Sequence, residues 1–320
     1  MATSSADAAT AGTTVTEIKA RGPYDLGEVA LMSFGHRDDG SFDGVLRLAF
    51  CLDGDLETPV GVAVRQDGQR VELTLHPPGQ PLSPGQPLSP GQPLSPGQLR
   101  AATGQVARVI SLDHDGEVFD RICRADPVLA RLHAVAPGFR PALFYSPYEA
   151  AVWSVISARR SRAQGIALRQ RLCEQYGHLF DVAGVPTAAL PTPSALLALD
   201  SFPGLPADRV PRLHAVARAA REGRLDADRL RALPPDEAAA ELQQLPGIGP
   251  FYSSLILLRA CGHADLLAPE ESHALSAVQE LYGVDHDLGA EELERLAEGW
   301  RPFRTWVMVT ARALGGRLAS

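Results

Sequence analysis

The periodicity of the chain changes once, near Asp113, and that change bounds the fold. Before it, from Gly22 to about Leu75, three short β-rich runs (VLRLAFC at Val45 to Cys51, VGVAV at Val60 to Val64 and VELTL at Val71 to Leu75) are parted by Asp-Gly turns at Asp39-Gly40, Asp53-Gly54 and Asp67-Gly68. Alternation of this kind with such turns predicts a small antiparallel sheet. After Asp113, Ala, Leu and Arg dominate, apolar positions recur at three and four, and the β-rich runs cease. The remaining two-thirds therefore reads as all-α, and the whole as an α+β chain with strands and helices segregated.

Three regions follow. Residues 1–20 are small and polar without periodicity and read as a flexible tail. Residues 21–112 form the N-terminal α/β domain, interrupted at 79–98 by the repeat GQPLSP-GQPLSP-GQPLSP-GQ, whose Pro density and lack of charge suit an extended linker. A helix from Gln98 to Ile110 closes that domain. Residues 113–320 are helical, with segments expected at Glu117 to Arg124, Pro127 to Ala134, Pro147 to Tyr176, Pro193 to Leu199, Ala207 to Glu222, Ala227 to Ala232, Pro235 to Gln243, Pro250 to Cys261, Ser272 to Tyr282 and Ala290 to Ala313, the last broken at Pro302.

Composition removes several function classes. A formal net charge of -8 argues against a polybasic nucleic-acid coat but leaves room for a local basic groove. No apolar run is long enough for a membrane span and the N-terminus lacks an apolar h-region, so a cytoplasmic protein is expected. Cys51, Cys123, Cys173 and Cys261 lie far apart without a C-x-x-C, so isolated thiols are expected and no metal site is suggested.

The most informative stretch is Glu241 to Gly262, within a helix–hairpin–helix spanning 236–261: a helix, the corner Leu245-Pro246-Gly247-Ile248-Gly249-Pro250, and a second helix. The glycines can take angles forbidden to other residues, so amides around Ile248 can converge on one external oxygen beside a helix N-terminus. A DNA phosphate suits that place, and Ile248 would anchor the corner in the core. An ordinary tight turn is the competing reading.

Here the chain resembles the helix-hairpin-helix DNA glycosylases, and within them the alkylation-repair branch called 3-methyladenine DNA glycosylase II. The likeness also rests on PYDL at Pro23 to Leu26, Asp126-Pro127, PGFRP at Pro137 to Pro141, YEAAVWSVIS at Tyr148 to Ser157 and GWRPFRTW at Gly299 to Trp306. It implies a small N-terminal domain like the fold of TATA-binding protein, then two helical subdomains with the active-site cleft between them. The implied activity is monofunctional: hydrolysis of the N-glycosidic bond of alkylated purines of the 3-methyladenine type, in base excision repair, after the base is flipped from the stack.

In the family a catalytic Asp follows the hairpin at a fixed distance, and counting from Gly249 places Glu271 there. Glu keeps the charge but carries it one methylene further out. Three readings of Glu271 stay open: the working carboxylate of a reshaped pocket, a degraded site in a DNA binder, or a first-turn acid favoured by the helix dipole. Bifunctional relatives carry a lysine two residues beyond the second hairpin glycine. That position is Phe251, and Lys19 is the sole lysine, so a Schiff-base mechanism is excluded on composition.

The resemblance further implies an aromatic base pocket, with Trp153, Tyr148, Phe251, Tyr252 and Trp306 as lining residues, against the plainer reading of core packing for Trp153 and Trp306. Two family aromatics are replaced here, by Leu255 and Arg312. Where relatives carry their intercalating wedge, this chain has Ala158-Arg159-Arg160 and then Arg162, inside a stretch from Arg121 to Gly177 with nine arginines against three acids. Arg159, Arg160 and Arg162 are thus candidates for wedge and phosphate contacts, against the plainer reading of a solvated helix face. The expected partner is double-stranded DNA with a damaged base, with no membrane contact, and the expected state is a nucleoid-associated monomer. No cofactor is implied beyond a monovalent cation that family hairpins often hold. Two alternatives stand beside hydrolysis of alkylated purines: a weakened or inactive DNA-binding homologue, and a glycosylase redirected to another lesion.

Overall fold

The computed structural model describes residues 12–32, 35, 40–78, 92–268 and 271–318. Four strands, β1 (Thr14–Lys19), β2 (Leu46–Leu52), β3 (Asp55–Asp67) and β4 (Arg70–His76), pair antiparallel in the order β1-β4-β3-β2. Val62 of β3 sits between Leu48 of β2 and Leu75 of β4 in the ladder. That face is covered by α1 (Leu26–Leu31) and α2 (Pro96–Val109), which add Leu26, Val29, Ala102, Val106 and Val109 to the core.

The expected tail is shorter than composition suggested. Residues 1–11 lie outside the described residues, whereas Thr14 to Lys19 form the edge strand, paired from Thr14 with Leu75 to Lys19 with Arg70. Its β-branched residues Thr14, Val15, Thr16 and Ile18 carry that preference. Most of the Pro-rich repeat, 79–91, is also outside the described residues. Its last unit starts α2 two residues earlier than periodicity predicts: Ser95 accepts from the Gln98 backbone N–H at 3.3 Å and the Gln98 side chain accepts from the Ser95 N–H at 3.0 Å, a reciprocal capping box.

Beyond residue 113 the chain builds two helical bodies. It enters the first with α3 (Gly116–Ala125) and α4 (Pro127–Val135), leaves, and returns at its end with α12 (Ser272–Tyr282), α13 (Ala290–Leu296) and α14 (Arg304–Leu314); Phe119, Leu129, Val278, Leu293, Trp300 and Trp306 form its core. The second body is the excursion between: α5 (Pro147–Ser157), α6 (Arg162–Tyr176), α7 (Pro193–Leu197), α8 (Val210–Arg221), α9 (Ala227–Ala232), α10 (Pro235–Gln243) and α11 (Pro250–Arg259).

Two features depart from the helical reading of this half. The single helix expected from Pro147 to Tyr176 is two, because α5 ends at Ser157, Arg159 takes a left-handed φ of 59°, and Ser161 with Gln164 caps a new start. A hairpin of β5 (His178–Val182) and β6 (Val185–Ala189) then packs on the sheet, Phe180 and Val182 meeting Ala49 and Ala63. Its turn residues Ala183 and Gly184 have φ of 50° and 77°, the mirror-image turn that suits two-residue hairpins, with Ala in a place usually held by Asn or Asp.

Several strings that carried the family resemblance are structural staples. Arg140 of PGFRP is fully buried and donates to the carbonyls of Pro23 and Ser111, both at 3.0 Å, and of Arg21, with its guanidinium over the Tyr24 ring. Asp126 caps α4 by accepting from the Val128 N–H at 2.8 Å, while its other oxygen accepts from the Tyr282 hydroxyl at 2.6 Å. No helix among the described residues is long and apolar enough to cross a membrane.

Candidate active site

The two helical bodies face each other across a cleft that opens to solvent. One wall is α11, which turns Phe251, Ser254, Leu255, Leu258 and Arg259 towards it, an i, i+3, i+4, i+7, i+8 row on one face of the helix. The opposite wall is Met308, Val309 and Arg312 of α14, and Leu266, Ala268 and Glu271 close the end between them. The lining is mostly aliphatic. Phe251, 46% exposed, stands at its mouth.

Glu271 is the N-cap of α12 and belongs to the cleft rather than to bulk solvent. Its Oε2 accepts from the Ala274 N–H at 2.8 Å and its Oε1 from Arg312 Nη1 at 3.0 Å, with the carboxylate side chain only 17% exposed. The cap fixes the carboxylate at a helix N-terminus, where the macrodipole also favours a negative charge. The segment leading to it is strapped to the start of α14. Asp265 accepts from the Arg304 backbone N–H and Nε and from Arg301 Nη1, and Thr305 exchanges hydrogen bonds with the Leu266 backbone in both directions. Asp265 is thus a structural clamp. His273 is exposed beyond the cap.

A second guanidinium lies behind the wall. Arg259, 6% exposed, donates to the Ala142 carbonyl at 2.5 Å, and burial, reinforced by the nearby charge of Arg312, brings its pKa down to about 9. It remains a cation at neutral pH.

The hairpin has the expected form with one correction. Leu245 and Ile248 are buried in the second body while Pro246, Gly247 and Pro250 face solvent, and the Ile248 N–H donates to the Leu245 carbonyl at 3.0 Å. Gly247 has φ of 95° and needs to be glycine, but Gly249 has φ of -97° and ψ of -173°, ordinary extended backbone. A Cβ at Gly249 would meet nothing within 4 Å. Freedom of angle is therefore not what Gly249 supplies, and the space beside it is open.

The aromatic pocket is smaller than the sequence suggested. Phe251, Leu255 and Arg312 line the cleft; Trp153, Tyr148, Tyr252 and Trp306 do not. Trp153 is 7% exposed and lies against Gly165 of α6, where a Cβ would come within 2.9 Å of the indole. Tyr148 is fully buried and donates to the Pro191 carbonyl at 2.9 Å. Trp306 stacks in the first body with Phe303 and Phe119 at 4.7 and 5.2 Å, and Tyr252 is half-buried against the second body's core, its ring edge-on to Phe251. Large aromatics at helical spacing went to the core because their buried area stabilises it.

The three wedge candidates also separate. Arg159 is exposed at the tip of the α5–α6 turn, while Arg160 donates to the carbonyls of Ile156 and Gly204 at 3.1 and 3.0 Å, and Arg162 to that of Gly35 at 3.2 Å. Arg160 caps the end of α5, so its fork is already engaged. Phe251, Leu255 and Arg312 were singled out in the sequence, but their neighbours Ser254, Leu258 and Arg259 on α11 and Met308 and Val309 on α14 were not, although helical spacing is the signal that finds them. No group of three or more His, Cys, Asp or Glu able to hold a metal occurs among the described residues.

No family model matches the chain. In sequence it is similar to "DNA-3-methyladenine glycosylase 2" of Escherichia coli, 29% identical over 202 residues, covering 60% of this chain and 67% of that protein. It is also similar to the "Probable bifunctional transcriptional activator/DNA repair enzyme AlkA" of Mycobacterium tuberculosis, 27% identical over 212 residues, but it spans only 41% of that relative. Among solved structures, a 3-methyladenine DNA-glycosylase from Archaeoglobus fulgidus superposes with a TM-score of 0.70 at 19% identity, over 93% of this chain and 97% of that one. An 8-oxoguanine glycosylase/lyase of Clostridium acetobutylicum, in complex with double-stranded DNA, gives 0.58 at 14%, over 94% and 97%. At such identities the structures establish a common fold. In sequence the chain is thus similar to 3-methyladenine DNA glycosylases, and it shares its fold with solved structures of such enzymes.

Proposed function

We propose that the chain is a monofunctional DNA glycosylase that draws a damaged purine into the cleft between α11 and α14 and hydrolyses its N-glycosidic bond. The observation that carries this reading is Glu271: a carboxylate fixed by a helix N-terminus, inside a cleft, across from the helix that the hairpin begins. The hairpin amides hold a backbone phosphate, Arg159 enters the space the base leaves, and the carboxylate steadies oxocarbenium charge at C1′ and orients water for attack. With Lys19 in β1 as the only lysine, water is the nucleophile and an abasic site the product. The relatives' names make 3-methyladenine and other alkylated purines the first substrates to try.

The test is incubation with duplexes carrying 3-methyladenine, 7-methylguanine, hypoxanthine or ethenoadenine, followed by alkali to reveal abasic sites. Base release by the wild type and its loss in Glu271→Gln are expected; undiminished release in that variant rejects Glu271 as the carboxylate. One observation favours a second reading, a DNA-holding homologue with little hydrolysis: both oxygens of Glu271 already have partners, one of them Arg312. That reading predicts salt-sensitive duplex binding with no release from any lesion.

A further inference from the structure

We infer that Arg312 is a specificity-determining residue that turns the cleft away from cationic alkylated purines and towards uncharged purines bearing a carbonyl acceptor, such as hypoxanthine. The inference rests on the glycosylase reading of the same cleft. It starts from the charges on its walls. Arg312 lines the cleft and is hydrogen-bonded at 3.0 Å to its single carboxylate among the described residues, Glu271, while the buried guanidinium of Arg259 adds a second positive charge behind the α11 wall. The remaining lining is chiefly aliphatic, with Phe251 as its one aromatic ring among the described residues. A base made positive by alkylation would meet an excess of like charge and little π surface to offset it.

An uncharged 6-oxopurine meets the reverse. Its carbonyl oxygen and ring nitrogen are acceptors, and a guanidinium presents a planar fork of donors to such a pair. The chemistry separates the two classes in the same direction. When C1′–N9 breaks, the bonding pair goes to the base. A cationic base leaves neutral, but an uncharged base leaves carrying negative charge over its ring and carbonyl, which a neighbouring cation stabilises. Water then bonds to C1′ and loses a proton to Glu271, and the departed base takes up a proton from solvent. Arg312 gives up no proton; it donates hydrogen bonds only. At 47% exposure on the last helix, it can be replaced without opening a core.

The experiment measures kcat/KM for release of hypoxanthine and of 7-methylguanine from otherwise identical duplexes, each divided by its spontaneous release, because the cationic bond is intrinsically weaker. Wild type is expected to give the larger enhancement with hypoxanthine. Arg312→Gln should move the ratio towards 7-methylguanine by about tenfold or more, whereas Arg312→Lys, which keeps the charge and loses the fork, should still discriminate against 7-methylguanine. Taking the ratio cancels any general effect of freeing Glu271 or of altered folding. A ratio unchanged in Arg312→Gln, or a wild-type enhancement larger for 7-methylguanine, overturns the inference while leaving a glycosylase in place. No release from any duplex overturns the glycosylase reading itself, and this inference with it.

Discussion

The two walls of the cleft are made of different material. The hairpin wall is built from backbone: Gly247 turns the chain, Ile248 anchors it in the core, and the space beside Gly249 is open. The opposite wall works through side chains, Glu271 on its cap, Arg312 across from it, and Asp265 clamping the approach. A backbone device depends on a few glycines and a buried Ile, so it is written in one short local string. A side-chain device can change its chemistry by single substitutions, and this wall holds Glu and Arg where the family pattern implies Asp and an aromatic.

The contrast predicts where damage falls. Glu271→Gln should lower base release by about 100-fold or more while duplex affinity, measured by anisotropy, stays within about twofold; a matching fall in affinity would mean that the acid wall also grips. Asp265→Ala leaves the Arg304 guanidinium, 10% exposed, without its carboxylate, and should cost about 3 kcal/mol of stability in urea denaturation. An unchanged midpoint would show that the segment before Glu271 does not depend on the clamp.

Gly249→Ala should leave thermal stability unchanged, since its angles are ordinary and its Cβ meets nothing, yet weaken duplex binding by about tenfold as the methyl group obstructs the phosphate. Intact affinity would remove the hairpin from the interface. The smallest effect is expected at Glu241 in α10, whose carboxyl is held below its usual range by the Arg229 guanidinium and then by Arg224. Because the folded-state pKa is depressed, the stabilisation is complete above the unfolded carboxyl value of about 4.3 and fades as pH falls through the folded one. Glu241→Gln should cost about 0.5 kcal/mol near neutral pH and progressively less below about pH 4, read from melting temperatures.

What was legible in the sequence divides along the same line. The sheet, most helices and the hairpin followed from periodicity, turn residues and glycine placement, because those signals are local. The β5–β6 hairpin escaped because Ala183 stands in a turn position where Asn or Asp would have announced it, and the α5–α6 break because a non-glycine residue, Arg159, supplies the left-handed angle. At the cleft, Glu271 was singled out by its distance from the hairpin, but the sequence left Trp153 and Trp306 between pocket and core and put Tyr148 in the pocket: whether a buried aromatic faces a core or a cleft is settled by neighbours such as Gly165, distant in sequence. The pairing of Glu271 with Arg312, forty-one residues apart, has no local signal at all.

The cap that begins α2 is contained within a single turn of the Pro-rich repeat. Ser95, Pro96, Gly97 and Gln98 supply both reciprocal hydrogen bonds, and the same four letters recur at Ser83 and at Ser89. Loss or gain of whole six-residue units would therefore always deliver Ser-Pro-Gly-Gln ahead of Leu99, and with it an unaltered beginning for the helix.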